Sequence, residues 1–163
     1  MLGDFMWQKV KIYGVNIAIP LAVGGLAAFL TRNSMDIYEK INQPFLAPPA
    51  WLFPVVWTVL YILMGVSAAM VYGNADASAD DKKHALRLYG INLAVNFFWS
   101  IIFFNLGVFF AAFLWLMLLI FVIMRMAVAF YKIKPIAAYL QIPYVIWCCF
   151  ATYLTASIWL MNS

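Results

Sequence analysis

The stretch NQPFLAPPAWLFPVVWTVLY, residues 42–61, decides how the rest of the chain is read. It places four prolines in eleven positions, Pro44, Pro48, Pro49 and Pro54, and then runs into an aromatic and aliphatic segment. Proline lacks a backbone donor, so helix interiors exclude it while first turns, whose N–H groups have no helical partner, accept it. The stretch therefore reads as an extended loop ending at Pro48 and Pro49, followed by a helix from about residue 51. Pro54 still falls within the first turn. Prolines crowded at the helix mouth stiffen the loop and fix where Trp51 and Trp57 point.

The segment that follows is too apolar for water, and so is the whole chain. Its 163 residues are 67% hydrophobic and 10% charged, with a mean hydropathy of +0.95. Soluble domains run at about 45–50% apolar and about 25% charged. Sixteen charged residues cannot cover such a surface, so the bilayer is the expected solvent and one compact all-α bundle, residues 1–163, the expected architecture. The N-terminal MLGDFMWQKV lacks the pattern of a cleaved leader, which makes the first apolar run a true span.

Five runs are long enough to cross ~30 Å of hydrocarbon. They are placed at about 12–31, 51–72, 85–105, 108–131 and 135–160. The links NLG and KIK are so short that the helices they join must be antiparallel neighbours. Lys9, Lys11, Lys82, Lys83, Arg87, Lys132 and Lys134 gather on the N-terminal side, against Arg32 and Lys40 on the other. The positive-inside bias then predicts a cytoplasmic N-terminus, with loop 32–50 and the C-terminus outward. The basic residues sit at segment ends, so nucleic acid is not an expected partner. Arg125, under two turns from the inner end of the fourth span, can snorkel to the interface. No other charge is expected in the bilayer, which argues against a proton relay. His84 reads as a surface residue in a polar loop. Adjacent Cys148 and Cys149 diverge on a helix and read as small core residues, not a disulfide or metal pair.

Trp7, Trp51 and Trp159 fit the interfacial belts where tryptophan normally sits. Trp57, Trp99 and Trp115 lie roughly 9–11 Å below the outer surface, at ~1.5 Å per residue, and Trp147 lies deeper. Helical spacing sets Trp57, Tyr61 and Met64 on one face, Asn92, Asn96 and Trp99 on another, and Tyr144, Trp147, Ala151 and Leu154 on a third. Indole N–H groups want partners in hydrocarbon. These residues leave two alternatives open, a cavity for a flat apolar ligand with a few polar edges and a plain aromatic core. Pro20 frees the carbonyl of Asn16 and Pro143 that of Tyr139, breaks that a bundle must satisfy elsewhere. Gly90 and Ala94 form a small-residue pair at a spacing that permits close helix contact.

At Pro44, Pro48, Pro49, Trp51, Trp57, Leu60 and Tyr61 the chain resembles the TspO/MBR family of tryptophan-rich sensory and translocator proteins. NLAVNFFWSIIFF agrees at Asn96 and Trp99, and IPYVIWCCFATYL at Pro143, Tyr144, Trp147, Phe150, Ala151, Thr152 and Leu154. The blocks occur in the family order over nearly the whole chain. The resemblance implies a five-helix bundle whose first loop lids a pocket for porphyrins such as protoporphyrin IX, other tetrapyrroles or flat synthetic ligands. Carried over by position, the ligand contacts are Trp51, Trp57, Tyr61, Asn96, Trp99, Tyr144, Trp147, Ala151 and Leu154. Gly90 and Ala94 align with a homodimer motif.

Two departures from the family pattern stand out. Ile37 and Leu46 replace loop indoles, and ATYLTASIWLMNS lacks the tyrosine and terminal basic residue of the family's cholesterol motif. A specific cholesterol site is accordingly not expected there. VAFYKIK matches only a loose sterol pattern. No cofactor is required and porphyrin enters as ligand, so the leading reading is a receptor, sensor or carrier in a bacterial cell membrane. The alternatives are an interaction scaffold and a light-dependent porphyrin-degrading enzyme. In the latter the resemblance implies that Trp57 and Trp147 take part in photochemistry, and no acid/base or metal site is expected.

Overall fold

The computed structural model describes residues 2–163, and among them every regular element is helical. The helices are α1 (Leu2–Thr31), α2 (Met35–Lys40), α3 (Leu52–Tyr72), α4 (Ala79–Ser100), α5 (Phe109–Ile133), α6 (Pro135–Tyr139) and α7 (Ile142–Met161). A π-helical turn, Ile101–Asn105, extends α4. Five spans are long and apolar enough to cross a membrane, with α6 and α7 together making the fifth.

The proline-rich mouth folds as its chemistry requires. Leu52 N–H bonds the Pro49 carbonyl at 3.0 Å, which turns the chain into α3, and Pro54 stands third in the helix. Loop 32–50 is not wholly extended. It contains α2, with Asp36 in its first turn and Lys40 in its last, charges that suit the helix dipole. The first span also begins earlier than its apolar run, because α1 carries its polar first turns out to Leu2.

The two prolines inside spans differ in outcome: α1 runs unbroken through Pro20, while the fifth span divides beside Pro143. The fifth span is divided at Leu140 and Gln141, just before Pro143. There buried Gln141 donates to the Ser67 hydroxyl at 2.7 Å, and Ser67 donates to the Ala137 carbonyl at 2.9 Å. In α1 the carbonyl of Asn16, which Pro20 deprives of its helical donor, faces Gly65 of α3. A Cβ on Gly65 would stand 2.6 Å from that oxygen and 2.5 Å from the Ile17 Cα. Gly65 thus lets the α1 and α3 backbones touch, the use of small residues expected between membrane helices.

The α4 extension departs from an unbroken α-helix for a packing reason. A π turn holds more residues per turn, and here adjacent Phe103 and Phe104 both reach the core, with ring centroids 4.8 Å apart. Gly107, at φ 62°, then reverses the chain into α5 in the left-handed region that glycine adopts without strain. Helix α1 packs mainly on α3, while α4, α7 and α6 pack on α5. The core lies among α3, α4, α5 and α7, and α1 is the least buried span. Cys148 is buried, and Cys149, one position on, points outward.

Candidate functional site

The ligand question turns on three helical faces and a loop. Loop 1 is fastened at several points. The Tyr38 side chain is buried edge-on to Phe53, with centroids 5.1 Å apart, and its hydroxyl donates to the Pro48 carbonyl at 2.9 Å. The Gln43 amide donates to the Tyr38 carbonyl. Asn42 and Asn162 clasp the loop to the end of α7: Asn42 N–H donates to Asn162 Oδ1 at 3.0 Å, and Asn162 Nδ2 to the Asn42 carbonyl at 2.9 Å. Burial pushes the Tyr38 phenol up to about 12. Ile37 and Leu46, where the family places indoles, are exposed, and tyrosine and asparagine hold the loop instead.

Beneath the loop, a hydrogen-bonded chain crosses the bundle. Tyr61 donates to Asn96 Oδ1 at 2.8 Å, and Asn96 Nδ2 donates to the Tyr144 hydroxyl at 2.9 Å. Tyr144 donates to Asn92 Oδ1 at 2.9 Å, and Asn92 Nδ2 ends the chain 3.7 Å from the Met64 sulfur. Around it Trp57 stacks on Tyr61 at 5.6 Å and meets Trp99 at 6.2 Å and the edge of Tyr144 at 6.1 Å. The space between α3, α4 and α7 is therefore filled by its own side chains.

The open space lies on the other side of this layer, toward α1. A cavity of about 440 Å³ is walled by Leu21, Gly24, Gly25, Ala28 and Thr31 of α1, by Phe53, Trp57 and Tyr61 of α3, and by Trp99 and Phe104. Its volume falls in the ~300–1,000 Å³ range of small-molecule sites. Thr31, Thr58 and Ser100 give it polar edges, and Arg32 and Met35 stand at the loop end. The Arg32 guanidinium lies 4.2 Å over the Phe29 ring. Gly24 leaves room for the Tyr61 ring, which occupies the place a Cβ would take. The Trp99 side chain is buried, and its indole N–H has no acceptor among the described residues. An orphan donor in an apolar interior costs about 1–3 kcal/mol, and Trp99 carries that cost within the cavity wall.

The sequence-derived contacts thus separate into groups. Trp57, Tyr61 and Trp99 wall the cavity together. Asn96 and Tyr144 stand behind them in the hydrogen-bonded chain. Trp147 packs edge-on to Phe53 at 5.9 Å, with its N–H unpartnered, while Ala151 and Leu154 are buried in the core and none of the three borders the cavity. Trp51 is exposed beside Pro48 and Pro49 and does not border the cavity. Trp115 bonds the Val95 carbonyl at 2.7 Å, away from the cavity. Gly90 and Ala94 lie exposed on α4. Sequence reasoning missed the α1 wall. Its signal was GGLAA, residues 24–28, a small-residue patch that makes room beside a bulky partner. Among the described residues no group of three His, Cys, Asp or Glu is gathered to hold a metal ion.

Five apolar spans, a fastened outer loop and an aromatic cavity beneath it define a multi-pass helical membrane protein built around a small-molecule-sized site. Residues 16–160 match the TspO/MBR family. Protein CrtK of Rhodobacter capsulatus is 37% identical, with 95% of each chain covered. Tryptophan-rich protein TspO of Chlorobaculum tepidum is 34% identical over 96% of this chain and 99% of its own. The human translocator protein is 29% identical over 94% of this chain and 90% of its own. The chain belongs to the TspO/MBR family, which supports a membrane sensor or regulator.

Proposed function

We propose that the chain is a membrane receptor or carrier for a flat, largely apolar tetrapyrrole such as protoporphyrin IX, bound between α1 and the indole layer. The observation that carries this reading is the cavity wall of Trp57, Tyr61 and Trp99, in which Trp99 keeps a buried N–H without an acceptor. Aromatic faces take a planar ring system by stacking. The Trp99 N–H and the Thr31 and Thr58 hydroxyls offer polar contacts at its edges, and Arg32 at the mouth suits a carboxylate. Apolar ligands partition into the bilayer, and the peripheral placement of α1 leaves a lateral route to this site. Among the tryptophans of the photochemical alternative, Trp57 borders the cavity and Trp147 stands behind Phe53, which favours binding over degradation.

The cell membrane, an inward N-terminus and a homodimer through Gly90 and Ala94 belong to the same reading. Basic residues collect at the N-terminal end of the bundle, and a Cβ on Gly90 would meet nothing within 4 Å. Titration of tryptophan fluorescence with protoporphyrin IX tests the pocket. Saturable quenching is expected, weakened about threefold to tenfold in Trp99→Phe, which loses one hydrogen bond donor, and in Trp57→Leu, which loses one stacking face. Unchanged titration curves in both variants would reject the site.

A further inference from the structure

A second set of side chains converges at the opposite end of the bundle, between α4 and α5. His84 of α4 and Arg125 and Lys132 of α5 line a groove of about 460 Å³ floored by Val128, Ala129 and Ile133. Arg125 stands two turns inside the end of α5 at Ile133, about 12 Å along the axis at ~1.5 Å per residue. Its neighbours on the outward face, Phe121, Met124 and Val128, are exposed and apolar, as lipid contact requires. A guanidinium at that depth is costly unless it meets an opposite charge, yet among the described residues Arg125 has no hydrogen bond or ion pair. Among the described residues Asp81 is the one carboxylate on the groove; it accepts from the Ser78 hydroxyl at 2.7 Å, and Ser78 caps α4 by accepting from the Asp81 N–H at 3.1 Å. Arg125 and Lys132 are seven positions apart, two turns on one helical face, so both cations reach the same groove.

We propose that this groove binds the phosphate of an anionic phospholipid, with an acyl chain lying along the apolar floor. The guanidinium takes the phosphate in bidentate fashion, Lys132 adds a point charge nearer the headgroup, and His84 supplies a hydrogen-bonding edge. The source is a lipid because Arg125 stands among exposed apolar side chains, Phe121, Met124 and Val128, that suit contact with acyl chains. Basic recesses between helices at a membrane boundary are the surfaces that recognise such headgroups. This site is separate from the aromatic cavity and stands whether or not porphyrin binds there.

Native mass spectrometry of the full chain, from micelles holding equal amounts of phosphatidylglycerol and phosphatidylcholine, reads the selectivity of the retained lipid. The chain is expected to retain phosphatidylglycerol preferentially. Arg125→Gln and Lys132→Gln should each lower the ratio of the two bound lipids about fivefold, Arg125→Lys should keep most of it, and Lys9→Gln, at the same end on α1, should leave it unchanged. Melting temperature and elution volume confirm that each variant is folded, and Lys132→Gln carries the test should Arg125→Gln not fold. An unchanged ratio in the two groove variants, or an equal fall in Lys9→Gln, overturns the proposal. So does full displacement of phosphatidylglycerol by millimolar inorganic phosphate, which would make the groove a site for soluble anions.

Discussion

Replacing Gly65 by alanine sets two effects of known sign against each other. Alanine favours a helix over glycine by about 1 kcal/mol. At Gly65, however, the added methyl would lie 2.5 Å from the Ile17 Cα and 2.6 Å from the Asn16 carbonyl oxygen. Both are backbone atoms, so no rotamer change relieves the contact. Restoring ordinary separation moves α1 away from α3 by about 1 Å, and overpacking of this kind costs about 1–3 kcal/mol. Gly14, on the outward side of the same α1, is the matched control, since a Cβ there meets nothing within 4 Å. Gly14→Ala should stabilise and Gly65→Ala should not, with a gap between them of about 1–3 kcal/mol. At about 2–4 °C per kcal/mol for a chain of this size, the melting temperatures in detergent should differ by about 2–12 °C. The same displacement widens the lateral side of the cavity, so porphyrin affinity should change in Gly65→Ala and stay constant in Gly14→Ala. Gly65→Ala melting at or above Gly14→Ala would refute the close α1–α3 contact as a determinant of the fold.

Asn96→Leu should destabilise by about 1–2 kcal/mol, because Tyr61 loses its acceptor and Tyr144 a donor. Adding Tyr61→Phe should cost less than it does alone, and strict additivity in thermal unfolding would deny the coupling. Trp99→Phe removes an unpartnered buried N–H, so the unliganded protein should melt within about 1 kcal/mol of wild type while porphyrin binding weakens. A large loss of stability without change in binding would make Trp99 structural only. Tyr38 carries the pH dependence of the loop. Its folded-state phenol is raised from 10.0 to about 12, so its contribution is complete below pH 10 and is lost as pH rises toward 12. Protease cleavage in loop 32–50 should therefore rise over that interval, and Tyr38→Phe should abolish the step; cleavage independent of pH would contradict the anchoring role.

Much of the architecture follows from local chemistry. Length and hydropathy specify five spans, and the prolines at 48, 49 and 54 place the start of α3 within a residue, because a missing N–H is harmless only in a first turn. Pro143 likewise marks the start of α7, because it falls in the first turn where a missing N–H is harmless. Helical spacing identifies which indoles, amides and phenols share a face, and so brings Tyr61, Asn96 and Tyr144 together. It carries no information on how far apart the facing helices stand. That distance is a property of packing: Gly24 and Gly65 draw α1 onto α3, while Trp57 and Tyr144 fill the space between α3 and α7. The cavity therefore opens beside α1, against small residues that periodicity alone ranks as unremarkable. Arg125 tells the same story. Its charge and approximate depth are legible in the sequence, but only the tertiary structure sets it across a groove from His84 with no carboxylate paired to it among the described residues. Sequence by itself determined the solvent, the spans and the families of inward faces, because those depend on side-chain chemistry and helical period. The fold alone decided which faces close on each other and which leave room, because that depends on the summed volumes of residues distant in the chain.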